Sequence, residues 1–180
     1  MARVHDILGY QVLDTLGYGA RSTIFLVKDK KGGIYALKRV IRNTPKDDRF
    51  MEQAILEHEI AKSIDHPVIR KSFKIIRSRQ VIRVTEVVVL MEFVDGATLE
   101  EDRPRTVLRL CEIMRQVADG LEAMHQAGYV HADMKPNNIM VTETGEVKII
   151  DLGQSGRIGT IKDRIQGTPD YIAPEQVLRQ

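Results

Sequence analysis

A single cysteine occurs in the 180 residues, so Cys111 can form no disulfide within the chain, and a reducing compartment suits it better than secretion. Charge of one sign is also lacking. Lys and Arg number 27 against 25 Asp and Glu, and the net charge of +2 gives no reason to expect bulk binding to nucleic acid or to an anionic membrane. No apolar run approaches the roughly 18 residues that a membrane-spanning helix needs, and the start, Met1-Ala2-Arg3-Val4-His5-Asp6, lacks the basic-then-apolar order of a secretion signal. Repeats, linkers and low-complexity tracts are missing as well. A protein of the cytoplasm is expected, with no membrane segment and no nucleic-acid partner, and its partners must be read from sites. What is present, 43% apolar and 29% charged residues, suffices for a real core.

Hydrophobic periodicity orders the chain as sheet first, helix later. Short β-branched or aromatic runs punctuated by glycine predict three antiparallel strands at Gln11 to Leu16, Thr23 to Lys28 and Ile34 to Val40. Asp47 to Ile64 carries Phe50, Ile55, Ile60 and Ile64 among charges, with Pro67 beyond its end, and reads as one amphipathic helix. Strands follow at Val68 to Ile76 and Val81 to Val94; the unbroken run Val87 to Met91 predicts burial on both faces. From Arg105 to Ala127 the apolar positions Leu108, Cys111, Met114, Val117, Leu121 and Met124 have helical spacing, Cys111 is expected in the core, and Gly128 is a plausible stop. Two short strands, Ile139 to Val141 and Val147 to Ile150, lie among polar loops in the last third.

Several positions carry chemistry. Leu16-Gly17-Tyr18-Gly19-Ala20-Arg21-Ser22-Thr23-Ile24 joins two strands, and its glycines let backbone N–H groups approach a phosphate, although a Gly-x-Gly hairpin alone is usually only a turn. Lys38, at the end of Tyr35-Ala36-Leu37-Lys38, stands among apolar residues where an ammonium needs an anion. Glu57, inward by its spacing from Ile60 and Ile64, is the favoured partner, with Glu59 a competitor. His131-Ala132-Asp133-Met134-Lys135-Pro136-Asn137-Asn138-Ile139-Met140 groups an acid, a cation and an amide in one loop: Asp133 can accept a hydroxyl proton, Lys135 can neutralise a transferring phosphoryl group, and Asn138 can offer oxygen to Mg²⁺. Asp151, at a strand end in Asp151-Leu152-Gly153, suits a hard cation. Gly167-Thr168-Pro169-Asp170-Tyr171-Ile172-Ala173-Pro174-Glu175 completes the set.

In this order and spacing the elements resemble the protein kinase signature from Tyr10 to Leu178. The resemblance implies an α+β fold of two lobes. The first, residues 10–94, would be a five-stranded antiparallel sheet with one main helix; the second, 95–180, would be an incomplete, mainly helical lobe. It implies a Ser/Thr protein kinase using ATP and Mg²⁺. Gly17, Gly19 and Ser22 would cover the phosphates, with Leu16 also binding the nucleotide, Lys38 would bind the α- and β-phosphates and pair with Glu57, and Ile24, Ala36 and Met140 would sandwich adenine. Met91 would be the gatekeeper, with the Glu92 and Val94 backbones on the adenine edge. Asp133 would be the base, Lys135 the phosphate-stabilising cation, and Asn138 and Asp151 the Mg²⁺ ligands. Lys135 with Thr168 resembles the Ser/Thr pattern rather than the tyrosine one, and Lys135 with Gly167 to Glu175 sets the chain apart from small-molecule phosphotransferases.

Three positions depart from the pattern: Ser22 where a third glycine is common, Leu152 for phenylalanine, and Ala132 for the arginine that grips a phosphorylated activation loop. Activity is therefore expected not to depend on phosphorylation of Thr160 or Ser155. The family's large lobe normally continues beyond Glu175, so a further C-terminal segment or self-association is expected to cover exposed apolar surface. The alternative to an enzyme is a nucleotide-binding or scaffold module of the same fold. The basic run Arg70, Lys71, Lys74, Arg77, Arg79, Arg83 reads as a solvated hairpin face, and His58-Glu59 lacks the second histidine of a zinc site, since Lys62 stands there.

Overall fold

A computed structural model describes residues 6–19, 21–161 and 167–178; Ala20 of the glycine loop and the first five residues lie outside the described residues. The chain divides into two compact units, one made of residues up to Glu59 together with Lys71–Phe93, the other of Ile60–Arg70 together with the residues from Val94 onward.

In the first unit the alternating segments form β1 (Asp6–Ile7), β2 (Tyr10–Tyr18), β3 (Ser22–Lys28) and β4 (Ile34–Ile41), then α1 (Asp48–Ser63), whose last turn belongs to the second unit, then β5 (Ser72–Gln80) and β6 (Arg83–Glu92). They make one antiparallel sheet in the order β1-β2-β3-β4-β6-β5. The five expected strands are there, and the two-residue β1 adds an edge. The apolar run in β6 is explained by alternation across two filled faces. Val87, Val89 and Met91 join Ala36 and Val40 against Met51 and Ala54 of α1, while Val88 and Leu90 join Phe25, Val27, Leu37 and Ile7 on the other side. A turn at Pro45–Asp47 starts α1, with Thr44 and Asp47 forming a reciprocal capping box.

The second unit holds β7 (Gly96–Thr98), α2 (Val107–Gln126), β8 (Tyr129–Val130), β9 (Ile139–Thr142), β10 (Val147–Ile149), β11 (Gly156–Arg157) and α3 (Pro174–Leu178). Strands β10, β9 and β7 form one small sheet and β11 pairs with β8. The strand expected from Val68 starts later, at Ser72, because Ile69 instead makes a parallel bridge to Ile149 in this unit. Thr106 caps α2 by accepting the Arg109 N–H, and Gly128 ends it at φ 83°.

The buried stripe of α2 is Ile113, Val117, Gly120 and Met124. Cys111 is exposed rather than in the core, and Leu108 and Met114 are exposed with it. A run of three-residue steps falls about 60° short of a full turn each time, so the positions from Val117 back to Leu108 wind round to the opposite face. Gly120 is needed where the helix touches its unit most closely, since a Cβ there would lie 2.7 Å from Val68 Cγ1 and 3.4 Å from Ile149 Cδ1.

Candidate active site

The first unit presents a glycine-bearing loop and a half-buried cation. Leu16 and Gly17 close β2, Ser22 opens β3, and the Gly19 N–H donates to the Ser22 carbonyl at 2.7 Å. A Cβ on Gly19 would fall 2.5 Å from Ser22 Oγ, whereas one on Gly17 would meet nothing within 4 Å. Ala36 and Lys38 lie two apart on β4 and so share a face, opposite Met91 and Val89 of β6; Ile24 packs against the same cluster. Lys38 Nζ donates to Glu57 Oε2 at 2.5 Å, with Glu57 buried and Glu59 exposed, so the competition between the two carboxylates is decided for Glu57. Met91 is buried, and the Glu92 N–H is committed to the Lys71 carbonyl at 2.9 Å.

The second unit holds a closed polar cluster. Asp133 Oδ1 accepts from Thr168 Oγ1 at 2.7 Å, its Oδ2 accepts from Lys135 Nζ at 3.0 Å, and Lys135 Nζ donates also to Thr168 Oγ1 at 2.9 Å. Asn138 Nδ2 donates to the Asp133 carbonyl at 2.8 Å, which turns the amide oxygen the other way. The Ile150 N–H donates to the Asn138 carbonyl at 3.0 Å, so Asp151 follows directly on the residue bonded to Asn138. Asp151 Oδ1 in turn accepts the Gly153 N–H at 2.9 Å. Val94 is buried and Met140 half-buried on β9, where it pairs with Thr98 of β7.

Backbone conformation shapes this loop. Ala132 sits at φ 62°, a left-handed position where an alanine is strained but a β-branched residue would be worse. Its carbonyl accepts from Gln176 Nε2 at 2.8 Å, and Gly167, at φ 116°, passes so near that a Cβ would lie 3.3 Å from that oxygen. His131 is buried beneath, with Nδ1 accepting the Asp133 N–H at 3.3 Å. Burial holds its imidazole below the usual histidine range, against the opposing pull of Asp151 and Asp133. Leu152, which stands for phenylalanine, is buried. Ser155 is fully buried and donates to the His131 carbonyl at 3.3 Å, which removes it from the accessible hydroxyls; Thr160 is exposed.

The model of the protein kinase domain matches residues 10–180. The chain belongs to the protein kinase family. It is 31% identical over 178 residues to a probable serine/threonine-protein kinase of Streptomyces coelicolor, covering 93% of this chain and 26% of that protein. It is 30% identical over 178 residues to the serine/threonine-protein kinase PknB of Mycobacterium tuberculosis, covering 93% and 28%. Against mitogen-activated protein kinase kinase 9 of Arabidopsis thaliana it is 36% identical over 169 residues, covering 91% and 53%. The chain thus spans from about a quarter to about half the length of these kinases.

Of the expected site residues, the structure brings together Lys38 with Glu57 in one unit, and Asp133, Lys135 and Asn138 in the other, where Asp151 follows Ile150, whose N–H bonds the Asn138 carbonyl. Thr168, which the resemblance pairs with Lys135, bonds both Asp133 and Lys135. Asp47 and Arg21 were missed as a pair, although Thr44-x-x-Asp47 is a legible cap. Among the described residues no group of three or more His, Cys, Asp or Glu side chains comes together to hold a metal, and no helix is long and apolar enough to cross a membrane.

Proposed function

We propose that this chain is a serine/threonine protein kinase, transferring the γ-phosphoryl group of ATP to a protein hydroxyl with Asp133 as the base. The observation that carries the reading is the Asp133 cluster. Both carboxylate oxygens are oriented by Lys135 and Thr168, so the group that must take the hydroxyl proton is fixed before substrate arrives. Lys135 lies where it can leave Asp133 for the transferring phosphoryl oxygens, and Thr168 keeps the two in register. Lys38, steadied by Glu57, anchors the α- and β-phosphates.

The donor set fits Mg²⁺. One carboxylate, Asp151, and one amide oxygen, Asn138, are what a hard cation takes when phosphates and water fill its remaining positions, and the orientation of the Asn138 amide by the Asp133 carbonyl supports that use. Bound there, the cation supplies neutralisation of phosphate charge. Gly17 adds support: among the described residues nothing lies within 4 Å of a Cβ built there, which leaves its backbone open to a phosphate. In this reading Ile24, Ala36 and Met140 are the apolar contacts of adenine, Met91 is the gatekeeper, and the backbones of Glu92 and Val94 are the partners of the adenine edge.

The test is γ-phosphate transfer to a generic basic protein, with Asp133→Asn as control. Transfer that disappears in the control supports the kinase reading. Nucleotide binding without any transfer in the unaltered chain would replace it with the non-catalytic module.

A further inference from the structure

The buried carboxylate of Asp47, which caps the turn before α1, also meets the glycine loop. Its Oδ2 accepts the Asn43 N–H at 3.0 Å, the Thr44 N–H at 2.7 Å and the Thr44 hydroxyl at 3.1 Å, bonds that lock the turn preceding α1. Its Oδ1 receives Arg21 Nε at 2.9 Å. The two partners differ sharply in exposure, 1% for the Asp47 side chain and 45% for Arg21. A carboxylate so deeply placed requires charged or hydrogen-bonding partners, whereas an exposed arginine on a loop is free to be recruited. The anchor is therefore rigid and the loop is the element being held. The Thr44 N–H foremost, then the Asn43 N–H, the Thr44 hydroxyl and Arg21, keep the Asp47 carboxyl below the usual carboxylate range, so it is an anion throughout the neutral range.

We propose that Arg21 is a positioning residue, which through Asp47 ties the glycine loop to the start of α1, the helix that carries Glu57. The loop that covers the phosphates and the helix that steadies Lys38 then share one mechanical connection, Arg21 to Asp47 to α1 to Glu57 to Lys38. The tether limits the outward excursions of the loop, which is short of the third glycine and already closed on itself by the Gly19 to Ser22 bond. Its consequence for ATP rests on the kinase reading above; the tether itself does not.

The test compares amide hydrogen exchange in the unaltered chain with Arg21→Ala, Arg21→Lys, Asp47→Asn and the double variant, followed by Mg-ATP kinetics. Arg21→Ala and Asp47→Asn are each expected to speed exchange of the 17–23 amides by about three- to tenfold, the size of one lost charge-assisted contact. The double variant should go no further, Arg21→Lys should restore most of the protection, and KM for ATP should rise by a like factor with kcat changed less. If Asp47→Asn loosens residues 43–46 themselves, Arg21→Glu, which leaves that turn intact, takes its place and should free the loop at least as much as alanine. Additive effects, or a loop left unchanged by loss of the Asp47 charge while Arg21→Ala alone raises KM, would overturn the proposal and put Arg21 on the nucleotide directly. Absence of transfer in the unaltered chain would sink the kinase reading while leaving the exchange comparison to decide the tether.

Discussion

Lys38 meets its carboxylate across two elements, strand β4 and helix α1, through a single ion pair, whereas Asp133 is gripped within one short loop and by Thr168 from a second segment. A pair that depends on where a helix lies can be made or broken by a small displacement of that helix. A ring of three mutually bonded side chains cannot, because each member holds the other two. The contact open to adjustment is therefore the α1 pair rather than the Asp133 loop.

The largest effect is expected where the base itself is removed. Asp133→Asn retains the shape of the cluster but not the base, so transfer should fall by about three orders of magnitude, read as γ-phosphate incorporation, with nucleotide affinity nearly unchanged. Lys38→Met should lower transfer by about two orders of magnitude and weaken nucleotide binding as well. Glu57→Gln is expected to lose about tenfold, and its effect should vanish in the Lys38→Met background, since Glu57 acts through Lys38. Equal losses from Glu57→Gln in both backgrounds would mean that the pair seen between β4 and α1 has no part in the reaction.

Stability sharpens the same contrast. Gly120→Ala pushes a methyl group to within 2.7 Å of Val68 Cγ1, and overpacking there should cost about 1–3 kcal/mol, outweighing the helix-propensity gain. A fall in Tm of several degrees is the readout, and an unchanged Tm would mean that α2 can shift to make room. His131 gives a pH test. Its folded-state value lies below the unfolded one, so the unfolded chain binds the extra proton and stability must fall as pH drops through about 6.5, the unfolded value. The slope from one group cannot exceed about 1.4 kcal/mol per pH unit. A His131→Gln variant should flatten Tm between pH 7.5 and 5.5 relative to the unaltered chain.

The legible and illegible parts of the sequence divide on the same physical line. The β6 run, the α1 span and the order of the motifs were readable because alternation and motif spacing are local properties. The choice of Glu57 over Glu59 was readable from helical phase and is decided by burial. The α2 face was misread at Leu108, Cys111 and Met114, since apolarity alone does not say which stripe meets a partner element. The burial of Ser155 was not legible, because a serine in a loop carries no mark of it; its bond to the His131 carbonyl is a tertiary fact. Arg21 with Asp47 was likewise hidden, as an ion pair between residues 26 apart leaves no periodic trace.

The smallest predicted effect lies at the far end of the first unit, where β5 and β6 meet in a two-residue turn at Val81 and Ile82. Val81 is 97% exposed and sits at φ 56°, a conformation that L side chains adopt at a cost and that this kind of hairpin normally fills with glycine or asparagine. No contact repays the strain at such exposure. Val81→Gly relieves the left-handed penalty but gives the unfolded chain more freedom, so the two effects oppose and the net gain should be only about 0.5–1 kcal/mol. Val81→Asn avoids most of the entropy term and should gain at least as much. A rise in Tm of one to a few degrees for both, with transfer unchanged, is expected; a loss of stability for both would mean that the valine side chain is held by a contact that outweighs its backbone strain.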